Sequence, residues 1–396
     1  MQGTKSANLL IILSIYIALK PIYLWSSGSL QISDIFMLLS LVFVMIHQRG
    51  KIIVDSESYR LLKLILLIVL YQAIINGIWS IIIGNNLNKA TLYYLFNMLA
   101  VLLTILIIKN FSFEVVSKYI IVGCFISLCI TNIGLFLRIG GIRRLGFFNN
   151  PNQLGYYALI IFSICLLYFS CTKMFFKVSI IVMSIWAIIA SGSKAAFIGA
   201  VLLFLLHLLF GDSRKNKTVN KLVVQILLLI FITALLYLLF FGNNNFLVSN
   251  KTLMFVRKRI LSMSTETDSS LGASRGYDRI FELGINFLWG MGEGFYYRFT
   301  TLSGLEAHSS YVTLIVSYGL FGFLGYIALI WKFTSYKPCF RKNLIVLSGV
   351  LLYGVTHNGL RNTLLWILLT LMFSQRWEHK KERETDNVSF ISNRVL

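Results

Sequence analysis

Residues 59–83 read YRLLKLILLIVLYQAIINGIWSIII, and this stretch decides the fold class. From Leu64 to Ile83 no charged side chain interrupts it. A helix rises 1.5 Å per residue, so such a run covers about 30 Å, the hydrocarbon thickness of a bilayer. The apolar residues do not alternate with polar ones, which excludes the short alternating segments of a membrane β-barrel.

Similar runs follow on both sides. Candidate spans are 8–25, 30–47, 59–83, 89–108, 116–138, 153–170, 174–190, 193–210, 221–241, 309–332, 343–357 and 359–375. The expected fold is an all-α polytopic membrane protein with about twelve transmembrane helices. Residues 1–241 would hold the first nine, 242–307 a large extracytoplasmic loop, 308–375 the last three, and 376–396 a basic cytoplasmic tail. The first run has no small-residue cleavage site and reads as a retained helix.

Composition agrees. The chain has 396 residues, 57% of them hydrophobic and 13% charged, against about 25% charged in soluble domains. The net charge of +21 would suit nucleic acid only on one soluble basic face, and here the charges sit in short loops between apolar runs. The five cysteines, Cys124, Cys129, Cys165, Cys171 and Cys339, avoid the long loop and show neither disulfide nor zinc spacing.

Orientation follows from the cations. With the amino terminus in the cytoplasm, each inner connection is basic: Arg49 and Lys51, Lys109 and Lys118, Lys173 and Lys177, 214–221, and Lys332 to Lys342. The tail adds Arg376, Lys380, Lys381 and Arg383. Both termini are therefore expected inside. Two outer segments break the rule: Arg138, Arg143 and Arg144 in one, and the 242–307 loop with Lys251, Arg257, Lys258, Arg259, Arg275, Arg279 and Arg298. A bound anion would favour cations there, since guanidinium forks match phosphate oxygens. Ordinary solvated charges or lipid phosphates are the alternative.

Within the loop, 274–288 (SRGYDRIFELGINFL) interleaves apolar and charged residues at helical spacing. An amphipathic helix at the membrane surface is expected. Arg275 and Arg279 would share one face, either clamping a diphosphate or pairing with Asp278 and Glu282. The glycine-dense turn 289–295 follows, with Glu293 as a base, a sugar contact or a solvated charge. His308, after Glu306, stands where the loop re-enters the membrane, and imidazole suits proton removal from a sugar hydroxyl. His357 is the other outer histidine. Asn149 to Gln153 combine turn residues with a helix cap. The corner 191–194 adds Lys194.

These residues resemble the O-antigen polymerase and ligase superfamily, membrane enzymes that transfer lipid-diphosphate-linked glycans. The ligase pattern H-[NSQ]-x9-G-x-x-[GTY] is met by His308-Ser309 with Gly319 and Gly322. The polymerase pattern R-x10-G is met by Arg144 to Gly155 and by Arg279 to Gly290. Ser193-Lys194-Ala195 is similar to the superfamily's Ser-Arg-Gly/Ala corner, with lysine for arginine. The likeness covers mainly 138–330 and the topology.

The resemblance implies a glycosyltransferase of the bacterial cytoplasmic membrane; no cluster of carboxylates suited to a divalent cation stands out in the sequence, so no metal and no cofactor is expected. It would polymerise undecaprenyl-diphosphate-linked oligosaccharide repeat units into O-antigen, capsule or exopolysaccharide. His308 and Glu306 would be catalytic. Arg275, Arg279, Arg144, Arg143 and Lys194 would bind the diphosphate, and Asn150, Asn152 and Glu293 the sugar. Membrane lipids, a chain-length regulator and a flippase of the same pathway are the implied partners; nucleic acid is not. A ligase acting on lipid A-core or another envelope acceptor is the alternative. A transporter of lipid-linked sugars fits less well, because few charged residues lie mid-span.

Overall fold

A computed structural model of the chain describes residues 2–26, 29–84, 86–137, 143–210, 254, 276–294 and 308–392. Span 221–241, Arg138, Arg275, Glu306 and most of the 242–307 loop lie outside the described residues.

The described secondary structure is helical. The long helices are α1 (Gln2–Leu19), α2 (Ile32–His47), α3 (Ser56–Ile83), α4 (Asn88–Ile108), α5 (Phe113–Phe136), α6 (Pro151–Leu167), α7 (Met174–Ser191) and α8 (Lys194–Phe210). A four-residue turn, α9 (Asn286–Trp289), precedes α10 (Ser310–Thr334), α11 (Phe340–Thr356) and α12 (Thr363–Ser392). Six helical segments are long and apolar enough to cross a membrane: Ser56–Ile83, Asn88–Ile108, Phe113–Phe136, Met174–Ser191, Ser310–Thr334 and Lys337–Thr356. Four shorter apolar helices join them. The chain is a helical membrane protein.

Local chemistry sets the helix ends. Asp55 accepts the Ser58 N–H at 3.1 Å, capping α3, and Gly84 ends it at φ +72°, a backbone conformation open mainly to glycine. Asn150 caps α6 with Pro151 in its first turn, where the missing proline N–H costs nothing. Every residue of α6 from Leu154 to Leu167 is buried. A helix apolar all round belongs at the centre of a bundle. By contrast, α3 leaves Leu66, Leu67, Leu70, Ile74, Ile78, Ile81 and Ile82 exposed, a face suited to lipid. At the α8–α11 crossing the helices meet glycine to glycine: a Cβ on Gly199 would lie 2.7 Å from the Gly349 carbonyl.

The connections sort into two ends, as alternating spans require. At one end Glu57 pairs with Lys332 at 2.9 Å and Arg376 at 3.6 Å, and the Phe113 N–H donates to Glu378 at 2.9 Å. At the other, the Tyr23 N–H donates to Phe147 at 3.2 Å, Asn149 Nδ2 to Trp25 at 2.7 Å, and Trp79 Nε1 to Gly290 at 3.1 Å.

Three features depart from the sequence expectation. The described part of 274–288 is not one helix but a 3-10 turn (Tyr277–Glu282) followed by α9. Gly284 at φ +55° breaks the continuation. Span 309–332 is helical but broken at Gly319, with φ +65° and ψ −170°. The tail beyond 375 is helical to Ser392, continuous with the last span.

Candidate functional site

The second end of the bundle carries the polar chemistry. Its first part is a corner made by 143–153 and 190–194. Arg143 donates from Nε to the Ser191 carbonyl at 3.0 Å and from Nη2 to Asn152 Oδ1 at 2.6 Å. The Arg144 N–H donates to the Ala190 carbonyl at 3.0 Å. Gly155 permits the approach, since a Cβ there would meet Ser191 Oγ at 2.8 Å and Ser193 Cβ at 2.9 Å. The segments that carry Arg143, Arg144, Asn150, Asn152 and Lys194 thus meet at one place. The segments 143–153, 190–199 and 353–363 contain no Asp or Glu.

From this corner a chain of contacts leads to the helix α10 entrance. Tyr353 Oη donates to the Asn152 carbonyl at 3.1 Å. The Tyr353 ring stacks on Tyr156 at 4.4 Å on one side and on His357 at 4.8 Å on the other. Ser310 Oγ donates to the His357 carbonyl at 3.1 Å. Two residues earlier stands His308, exposed, at the point where Ser309 caps α10 by accepting the Val312 N–H. Tyr277 of the outer segment reaches the same spot, donating to the Val355 carbonyl at 2.7 Å.

Beneath this mouth a narrow apolar crevice of about 50 Å³ opens between α10, α11 and α12. Tyr156, Ser310 and Tyr311 line its polar end, and Leu329, Ile330 and Leu347 its deep end. The arrangement is a polar, cation-rich head beside an apolar slot.

Two expected residues behave differently. Arg279 Nη1 donates to both carboxylate oxygens of Glu282, at 2.8 and 2.9 Å, with Asp278 at 3.8 Å. This is the intrahelical pairing alternative rather than an open clamp. Glu293 is not a solvated turn carboxylate: it is 3% exposed. Its Oε1 accepts from Tyr94 Oη at 2.6 Å and Tyr318 Oη at 2.9 Å, its Oε2 from Arg361, and its N–H donates to Asn76 Oδ1 at 2.9 Å. The turn around it inserts beside the α10 break, where the Met291 and Gly292 N–H groups donate to the Val316 and Ser317 carbonyls at 2.9 and 2.8 Å. Backbone irregularity at membrane depth persists only when such partners satisfy it.

Arg361, Tyr94, Tyr318, Asn76 and Tyr353 carried no assignment in the sequence. Arg361 had one usable signal, a lone cation in the 357–362 turn on the outer side. Lys20 and Asp34 form a further buried pair at 2.7 Å. Among the described residues no three His, Cys, Asp or Glu side chains converge as metal ligands would. Compared with models of protein families and with curated proteins, the chain matches none.

Proposed function

We propose that the chain is a glycosyltransferase of the bacterial cytoplasmic membrane that polymerises undecaprenyl-diphosphate-linked oligosaccharide repeat units on the outer face. About twelve spans with both termini cytoplasmic fit this activity. Lys109, Lys332 and Arg376 gather at the Glu57 end, which the charge rule reads as the inner side.

One observation carries the proposal: a cationic corner, whose segments 143–153 and 190–199 contain no acid, adjoins an apolar crevice through Asn152, Tyr353 and Tyr156. A lipid-linked diphosphate has that polarity, an anionic head on an apolar chain. Arg143, Arg144 and Lys194 would hold the diphosphate, and the crevice would part to take the isoprenoid chain. Asn150 and Asn152, beside Arg143, would meet sugar hydroxyls.

Chemistry then needs one proton acceptor. The acceptor hydroxyl oxygen attacks the anomeric carbon of the donor sugar, and the bond from that carbon to the diphosphate oxygen breaks. His308 takes the hydroxyl proton. The diphosphate leaves with its electron pair, and the neighbouring cations offset the charge that develops on it. Removing one such donor typically costs about 10²–10³ in rate.

Deleting the gene and restoring it in the host is the cellular test. Loss of all species longer than one repeat, restored by the wild-type chain, supports polymerisation. Full-length polymer persisting on its lipid carrier without reaching a final acceptor would replace it with ligation.

A further inference from the structure

The Arg361–Glu293 pair lies at the same end of the bundle as the Arg143 corner, and the activity proposed above does not use it. Glu293 is buried, while the Arg361 side chain is 30% exposed. The guanidinium sits over the Tyr93 ring at 5.5 Å. Lys89, exposed, precedes Tyr93 by one turn of α4 and so shares its face. The surrounding segments 71–84, 86–97, 313–326 and 353–366 contain no acid. Glu293, delivered by the glycine turn, is the carboxylate paired with Arg361.

Arg361 also adjoins Leu360, which lines the crevice, and stands four residues from His357. A cation thus stands beside the crevice next to Leu360 as well as at the Arg143 corner. A guanidinium with one edge on a buried carboxylate and another part open to solvent can bind a second anion without moving far.

We propose that Arg361, with Lys89 beside it, is a second anion site at the mouth, taking the diphosphate of a second lipid-linked molecule while Glu293 holds the guanidinium in place and moderates its affinity. This inference rests on the lipid-diphosphate activity proposed above. Two diphosphate positions beside one crevice are what a reaction between two lipid-linked substrates requires.

The test uses the purified full-length chain in detergent with farnesyl diphosphate as the probe. Phenylglyoxal labelling of each arginine is read by mass spectrometry with and without the probe. Protection of Arg361 at least threefold, together with Arg143 or Arg144, is expected; farnesol should protect none of them. Protection of Arg143 or Arg144 without Arg361 would overturn the second site and leave the first standing. Protection of Arg361 alone would leave the second site standing and overturn the first. Protection of neither would overturn the lipid-diphosphate activity and this inference with it. A sign test supplements this: Glu293→Gln should tighten binding at the second position at least threefold, and Arg361→Gln should abolish it. Weakening by both, in protein that remains folded, would mean a purely structural pair.

Discussion

Gly290 and Gly319 approach so closely that neither could carry a side chain: a Cβ on Gly319 would lie 2.6 Å from the Gly290 nitrogen, and one on Gly290 would strike the Ser317 carbonyl. Both have positive φ, +87° and +65°. The contact locks the outer turn into the break of α10 and sets the position of Glu293. With ψ of 174° and −170° both lie in a region essentially restricted to glycine, so either residue changed to alanine would face a backbone cost of about 1–3 kcal/mol and a backbone clash in addition. We expect Gly319→Ala and Gly290→Ala each to lower the thermal midpoint by several degrees in detergent. A midpoint unchanged within a degree would show that the turn does not dock there.

Gly199 and Gly349 test the bundle independently of the site. Gly349→Leu should force α8 and α11 apart and markedly reduce folded protein in the membrane, since small residues allow this close approach. Gly77, which has nothing within 4 Å of an added Cβ, is the control. There alanine should be neutral or stabilising by up to about 1 kcal/mol, from helix propensity alone. Equal damage at both positions, measured by size-exclusion fluorescence, would contradict the α8–α11 crossing.

The arginines should separate by what they already hold. Arg143 donates to the Ser191 carbonyl and the Asn152 amide oxygen, both neutral. Arg279 is paired with the carboxylates of Glu282 and Asp278. We expect Arg143→Gln to reduce polymer about tenfold or more, in line with loss of one transition-state donor. Arg279→Gln should cost less than threefold. The reverse order, at matched protein levels, would move the diphosphate site to the outer loop.

Breaking the Arg361–Glu293 pair has a structural consequence whatever its ligand. Arg361→Ala would leave the Glu293 carboxylate buried without its cation. Removing one partner from a buried pair typically costs about 3–5 kcal/mol. Thermal unfolding of Arg361→Ala should therefore shift more than that of Arg279→Ala, whose partner Glu282 is half exposed. Equal shifts would mean that Glu293 finds other support.

What the sequence made legible follows from range. Residues 64–83 and the α6 core are local patterns, long runs without charge, and both are helices here. The corner of Arg143, Asn152 and Lys194 was visible because turn residues and cations crowd into two short stretches. The Arg361–Glu293 pair was not, because its members lie 68 residues apart and a buried carboxylate in a glycine turn looks like a solvated one. The α10 break escaped for a different reason: glycine is frequent in membrane helices, so Gly319 alone signals no interruption. Residues 274–288 misled through their periodicity, which suits a helix that Gly284 does not sustain.

The central claim is glycosyl transfer between two lipid-linked repeat units with His308 as the proton acceptor. Its most direct measurement is product analysis of purified protein in nanodiscs supplied only with the undecaprenyl-diphosphate repeat unit. The account predicts a ladder of multiples of that unit, absent with His308→Ala although the variant folds and inserts normally. A ladder of unchanged intensity from His308→Ala, or no product from wild type unless a separate glycolipid acceptor is added, would contradict it.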